Sequence, residues 1–170
     1  LIGFVKLDTG EWRHSLEAHA IAPLIRSFVK RITEDGNLLK RHVTNAIELD
    51  DGVMAALDER LFIRALDNIV NNALRYTPEG GTVAIGVRVS GTDVLISVTD
   101  DGNGIAKEDI PRIFDLFYRG SNSRREEGMG LGLSVVQSVA DSHGWKIDVQ
   151  STLGSGTTFT IVIPVVAENA

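Results

Sequence analysis

The chain has 170 residues, 43% hydrophobic and 24% charged, which fits one globular domain with an ordinary core. Seventeen basic residues against twenty-three acidic ones leave a formal net charge of −6, so no surplus of cations exists to coat a nucleic-acid backbone. Cysteine is absent, which excludes disulfides, thiolate metal sites and thiol nucleophiles and fits a reducing, cytoplasmic setting.

The longest apolar runs, such as Thr160–Val166 with Pro164 inside, are too short to span a bilayer. The chain opens on Leu1 without a secretory pattern and is expected to be a soluble piece of a longer protein. Leu1–Asp8 reads as the end of a longer element, followed by a turn at Thr9-Gly10-Glu11. Pro23 suits a helix start, and Leu24, Ile25, Phe28, Val29 and Ile32 then recur at helical spacing until Asp35-Gly36. Val43–Leu49 is expected to be a short strand. A long helix is expected from about Val53 to Tyr76, with Asp58 capping or entering it and Pro78-Glu79-Gly80-Gly81 ending it. Its core stripe is Phe62, Leu66, Ile69, Val70 and Ala73.

Two alternating runs follow: Val83, Ile85, Val87 and Val89, then Val94, Ile96 and Val98, with Ser90-Gly91-Thr92-Asp93 turning between them. A glycine-rich stretch holds a short helix near Asp109–Phe117, and Gly130–His143 reads as a further helix. Lys146–Ser151 and Thr157–Val165 read as a hairpin joined through Leu153-Gly154-Ser155-Gly156. This mixed order predicts an α+β, two-layer α/β sandwich, with helices on one face of a mixed, mostly antiparallel sheet.

Asn68 and Asn72 lie four apart on the long helix and point the same way, with Arg75 and Tyr76 continuing that edge. An amide oxygen suits one place in the shell of a Mg²⁺ that takes its other ligands from water and phosphate; a simply solvated helix edge is the alternative. Counting in twos from Val94 puts Asp100 on the core side of its strand, where a carboxylate is costly unless something donates to it. Asp100-Asp101-Gly102-Asn103-Gly104 then turns on two glycines that would let a flat ligand approach. A buried carboxylate beside such a slot suits the exocyclic amine of adenine, and an ordinary Asp/Gly turn is the alternative. A calcium loop fails, because acidic residues do not precede the glycine at alternate positions.

Gly128-Met129-Gly130-Leu131-Gly132-Leu133 opens a helix, and N–H groups at such a terminus form a natural phosphate site. The run follows a polar loop rather than a strand, which weakens a dinucleotide-fold reading, and no P-loop motif occurs in the chain. Between the glycine clusters, Ile113–Arg119 and then polar Gly120–Glu127 are written as a closing lid would be, or as a solvated loop; Arg119, Arg124 and Arg125 could reach phosphate.

Together these blocks resemble the catalytic, ATP-binding domain of bacterial sensor histidine kinases, a branch of the Bergerat-fold ATPases. Asn68–Thr77 resembles the N box, Asp100–Gly104 the first glycine box and Phe114–Arg119 the F box. Gly128–Leu133 resembles the second glycine box and Gly154–Phe159 the last box, all in the family's order. The resemblance covers about Ala22 to Val166 and implies a division at 21/22: residues 1–21 end a preceding dimerisation hairpin and linker, and 22–170 form the ATP-binding domain.

It further implies that Asn72 ligates Mg²⁺, Asn68 supports the phosphate and metal site, Arg75 contacts phosphate, Tyr76 lines the pocket and Asp100 reads the adenine amine. Gly102 and Gly104 would make room for the base, and Gly130 and Gly132 would present N–H groups. Thr157 would sit near adenine, and the implied ATP-binding set also takes in Ile105, Phe117, Tyr118, Arg119, Gly128, Leu131 and Leu133. Arg75 stands where the family often has Lys, and Trp145 where a second glycine usually follows His143-Gly144.

None of His14, His19, His42 and His143 has the family's acceptor setting, a histidine followed at once by an acidic residue on a helical hairpin. The implied activity is therefore delivery of the γ-phosphoryl of Mg-ATP to a histidine on a dimerisation domain outside this chain, with a response regulator as indirect partner. The parent would be a homodimer and this piece a monomer. A same-fold ATPase and a nucleotide-independent scaffold are the competing readings. Same-fold ATPases carry a glutamate base at the position of Asn68, and an amide cannot abstract a proton.

Overall fold

A computed structural model describes residues 16–118 and 131–166. Among these the chain runs β1 (Glu17–Ala20), α1 (Ile21–Leu38), β2 (His42–Glu48), β3 (Met54–Leu57), α2 (Glu59–Tyr76), β4 (Thr82–Ser90), β5 (Asp93–Asp100), α3 (Gly132–His143), β6 (Lys146–Thr152) and β7 (Gly156–Pro164). Five strands form one sheet in the order β2-β4-β5-β7-β6, and β1 pairs with β3 apart from it. The β2–β4 pairing is parallel and the other three ladders of the large sheet are antiparallel. This is the mixed, mostly antiparallel sheet and the α+β class that the element order predicts.

Period-two alternation builds the core. Val83, Ile85 and Val87 of β4, Val94, Ile96 and Val98 of β5, and Phe159, Ile161 and Ile163 of β7 are buried together with the inner faces of the helices. Val89, at the end of the β4 row, is exposed instead. α2 supplies Leu61, Phe62, Ala65, Leu66, Ile69, Val70, Ala73 and Leu74 to the same core, at the spacing of one amphipathic face. Asp58 is its N-cap: Oδ1 accepts from the N–H groups of Arg60 at 3.0 Å and Leu61 at 3.2 Å, a device worth about 1 kcal/mol.

Several boundaries depart from the sequence reading. The long helix does not start near Val53: Met54–Leu57 is β3, paired antiparallel with β1, and it buries Ala55 and Leu57 on alternate positions. A Met-Ala-Ala-Leu run favours helix locally, and strand pairing overrides that preference. Glu17–Ala20, in the stretch expected to be linker, supplies the partner strand. α1 continues through Asp35-Gly36 to Leu38, because Gly36 lies where α1 closes on β2 and a β-carbon there would overlap the Val43 side chain. The helix expected over Asp109–Phe117 is one 3-10 turn, Ile110–Arg112, with turns after it. α3 starts at Gly132 rather than Gly130, and ends on Gly144 in left-handed conformation at φ 69°.

Candidate nucleotide site

Asp100 is the last residue of the core-facing row of β5, and the register places Val83 on one side of it and Thr157 on the other. It is 7% exposed. Oδ1 accepts the N–H of Gly102 at 2.9 Å and that of Thr157 at 3.3 Å. No protein group among the described residues donates to Oδ2. Burial pushes the carboxyl up from its ordinary value; the two N–H bonds oppose this, and the neighbouring charge of Asp101 adds to the upward push. The result is a half-satisfied buried carboxylate with one oxygen free to accept.

The glycines around it are there because backbone comes close. A β-carbon on Gly102 would stand 2.5 Å from the Tyr76 carbonyl oxygen, so the turn after β5 lies directly on the last turn of α2. Gly104, at φ 67°, would drive a β-carbon into the Thr152 backbone, and Gly156, at φ 98°, into the Asp100 carbonyl. Gly154 N–H donates to the Asn103 carbonyl at 2.7 Å, joining the β6–β7 turn to the same wall. Thr157 is buried, and its Oγ1 lies 2.8 Å from Ser151 Oγ, which also accepts from the Ile105 N–H at 2.8 Å and bonds the Gly156 carbonyl at 2.9 Å. Asp100, Gly102, Gly104, Ile105 and Thr157 thus meet at one place.

Along α2 the edge leads away from that place. Asn68 and Asn72 are half-buried while Asn71 is exposed, the phase that four-residue spacing requires. Tyr76 is half-buried and Arg75 exposed. Asn68 Nδ2 donates to the Arg64 carbonyl at 3.0 Å, which leaves Oδ1 as the outward acceptor. A β-carbon on Gly132 would stand 3.3 Å from that oxygen, so the start of α3 faces Asn68. Leu131, the α3 N-cap, makes no side-chain cap, and Leu131 and Leu133 are half-buried around this start. Tyr76 and Asn68 are eight residues apart on one helix, about 12 Å at 1.5 Å per residue.

Phe117 and Tyr118 lie at the end of the described segment. Phe117 is 71% exposed, and the Tyr118 hydroxyl is occupied by Asp109, donating to Oδ1 at 2.6 Å. Arg119, Gly128 and Gly130, and the expected lid over 119–129, lie outside the described residues. Sequence reasoning missed Ser151, which is one polar residue in an alternating strand and carries no signal of its own. No group of three His, Asp or Glu side chains among the described residues is arranged to hold a metal. A Mg²⁺ here would fit only as a phosphate-bound ion that borrows an amide oxygen from the α2 edge.

His143, one of the four histidines that lack the acceptor setting, is held in the structure at both ring nitrogens. Its Nε2 accepts the Asp58 N–H at 3.1 Å, and Nδ1 lies 2.8 Å from the Val139 carbonyl. Its ring packs on Trp145 at 4.3 Å between centroids, and Trp145 meets Phe62 edge-on at 6.0 Å. His143 closes the far end of α3, eleven residues or roughly 17 Å from Gly132.

Residues 57–167 match the family described as histidine kinase-, DNA gyrase B- and HSP90-like ATPase. The chain is 35% identical over 168 residues to the sensor-like histidine kinase SenX3 of Mycolicibacterium smegmatis, covering 96% of this chain and 43% of that protein. It is 32% identical over 168 residues to the sensor histidine kinase WalK of Bacillus subtilis, covering 96% and 27%. The chain therefore spans less than half the length of these relatives. Among solved structures, full-length ShkA in complex with AMPPNP superposes with a TM-score of 0.81 at 26% identity, covering 98% of this chain and 35% of that one. The catalytic domain of the histidine kinase ThkA superposes with a TM-score of 0.76 at 26% identity, covering 88% and 95%.

Proposed function

Because the chain belongs to the histidine kinase-, DNA gyrase B- and HSP90-like ATPase family, we propose that it is the Mg-ATP-binding catalytic part of a sensor histidine kinase. It hands the γ-phosphoryl to a histidine carried on a dimerisation domain outside these 170 residues, and through it serves a response regulator. The single observation that carries the nucleotide reading is Asp100, a buried carboxylate with Oδ1 held by two backbone N–H groups and Oδ2 left to accept.

Each part has a role in its own chemistry. Asp100 Oδ2 accepts from the adenine amine, and the close packing at Gly102 and Gly104 shapes the wall along the base. Tyr76 lines the slot, and the polyphosphate runs along the α2 edge toward Asn68 and the start of α3, whose free N–H groups favour anions. Asn72 offers its amide oxygen to Mg²⁺, Asn68 orients the phosphates, and Arg75 supplies positive charge. Bound Mg²⁺ neutralises phosphate charge and fixes its geometry. No side chain acts as base: at position 68 an amide stands where a hydrolytic site needs a carboxylate, so positioning and charge neutralisation do the work. The preferred acceptor is an imidazole brought in line with the γ-phosphate.

Incubation with γ-labelled ATP tests this. The isolated chain is expected to bind Mg-ATP and remain unlabelled, and a fragment carrying the acceptor histidine, added in trans, is expected to take up acid-labile, alkali-stable phosphate. Label of that kind on the 170 residues alone, or ATP turnover without any acceptor, would overturn the assignment.

A further inference from the structure

The five-stranded sheet ends in two edge strands, β2 and β6, and they differ in kind. β6 is guarded by charge, with Lys146 and Asp148 on exposed positions. β2 runs seven residues in unbroken register with β4, without proline or bulge, and its ionisable side chains, His42 and Glu48, stand only at its ends. No described strand pairs with its outer side.

One bond fixes the direction of its backbone groups. His42 lies opposite Thr82 and its N–H donates to the Gly81 carbonyl at 2.8 Å, so His42, Thr44, Ala46 and Glu48 turn their N–H and C=O groups to β4. Val43, Asn45 and Ile47 turn theirs to the free edge. Paired antiparallel with a copy of itself, the strand is self-complementary about Asn45. His42 then falls opposite Glu48, Val43 opposite Ile47, Thr44 opposite Ala46, and Asn45 opposite itself. The residues with outward backbone groups meet one another and exchange both bonds. Each His42–Glu48 pair takes a close, non-hydrogen-bonded position, an imidazole beside a carboxylate. The same pairing of β6 about Val149 sets Lys146 against Thr152 and Asp148 against Gln150, with no such match.

Helix α1 repeats the symmetry. A β-carbon on Gly36 would overlap the Val43 side chain, so these two residues are level. Two residues along β2, about 6.6 Å, match about four along α1, which sets Asn45 level with Ile32, midway between Lys30 and Glu34. Lys30, Glu34, Asn45 and Ile47 line one open groove of about 390 Å³ between α1 and β2. Neither Lys30 nor Glu34 has an ion-pair partner among the described residues. A two-fold axis at Asn45 brings Lys30 of each copy to Glu34 of the other.

We propose that β2 is an interaction surface for a second copy of this chain, the two sheets joining antiparallel, edge to edge, about a two-fold axis at Asn45. The monomer expected of this piece is then its dilute form. The inference does not rest on the nucleotide reading, since Asp100 lies on β5, two strands in from this edge.

Sedimentation equilibrium of the 170-residue chain, up to about 1 mM, tests it. The mass is expected to rise with concentration from 18.4 kDa toward twice that value. Asn45→Pro removes the outward N–H at the axis without touching a bond to β4. It should weaken the dimer about tenfold or more while a thermal melt shows the fold intact. Lys30→Glu sets like charges opposite each other and should weaken the dimer about twofold to tenfold, and adding Glu34→Lys should restore it. A mass of 18.4 kDa at every concentration overturns the proposal. A dimer that Asn45→Pro or Lys30→Glu leaves unchanged, or that Glu34→Lys does not restore, overturns it as well, because the contact then lies elsewhere. Should Asn45→Pro fail to fold, the charge exchange between positions 30 and 34 decides alone.

Discussion

Asp100→Asn exchanges one carboxylate oxygen for an amide nitrogen at constant size. The remaining oxygen can still accept from the Gly102 N–H at 2.9 Å and the Thr157 N–H at 3.3 Å, so the end of β5 keeps its anchors. What disappears is a charge whose burial is the main reason the carboxyl is pushed up. With the folded-state pKa above the unfolded one, the folded state binds more protons between the two values, and wild-type stability falls as pH rises through that window. The variant has no such loss. Its stability relative to wild type should therefore increase with pH just above the ordinary carboxylate range and then level off, which urea unfolding at several pH values reads directly.

Binding moves the other way. The free position now presents an NH₂ donor to a donor amine, and a hydrogen bond to a charged group worth about 1.5–3 kcal/mol is lost. That is a decrease in ATP affinity of roughly 10- to 150-fold at neutral pH, read by isothermal calorimetry. The same amide matches a carbonyl, so the preference for ATP over GTP should narrow. ATP affinity within about twofold of wild type, with an unchanged ATP-to-GTP ratio, would refute the role given to Asp100.

Gly132→Ala should leave stability unchanged or raise it by up to about 1 kcal/mol, yet weaken ATP, because its β-carbon would crowd Asn68 Oδ1 at 3.3 Å; thermal melts and calorimetry on one sample separate the two effects. Gly156→Ala is expected to destabilise by several kcal/mol, about 3 or more, since both its φ of 98° and the Asp100 carbonyl oppose a side chain; urea unfolding measures it. Asn72→Ala should abolish magnesium-dependent ATP affinity while exposed Asn71→Ala does not, and the reverse result would mean that the α2 edge carries no metal contact. His143→Ala strips the Asp58 N–H of its acceptor and should cost about 1–3 kcal/mol of stability in a denaturant titration, with ATP affinity unaltered.

The inward aim of Asp100 follows from counting in twos along one strand, and the shared edge of Asn68 and Asn72 from counting in fours along one helix. Both are properties of a regular backbone, so they were legible before any tertiary contact was known. The same counting could not tell that Met54–Leu57 is a strand. Its helical preference is local, and the partner that overrides it, Glu17–Ala20, lies more than thirty residues earlier in the chain.

Periodicity and caps therefore determined by themselves the class of fold and the core faces of α1, α2, β4, β5 and β7. Tertiary structure alone decided which groups meet. Thr157 donates to Asp100 from 57 residues away, Ser151 gathers Ile105 and Thr157, and Gly132 faces Asn68 across two helices. Likewise Asp109 accepts the hydrogen bond of the Tyr118 hydroxyl from nine residues away. The reason is physical: a repeat in sequence encodes the direction of a side chain relative to its own backbone, whereas a hydrogen-bond partner depends on sheet register and loop closure, whose energies are shared among residues far apart in the chain.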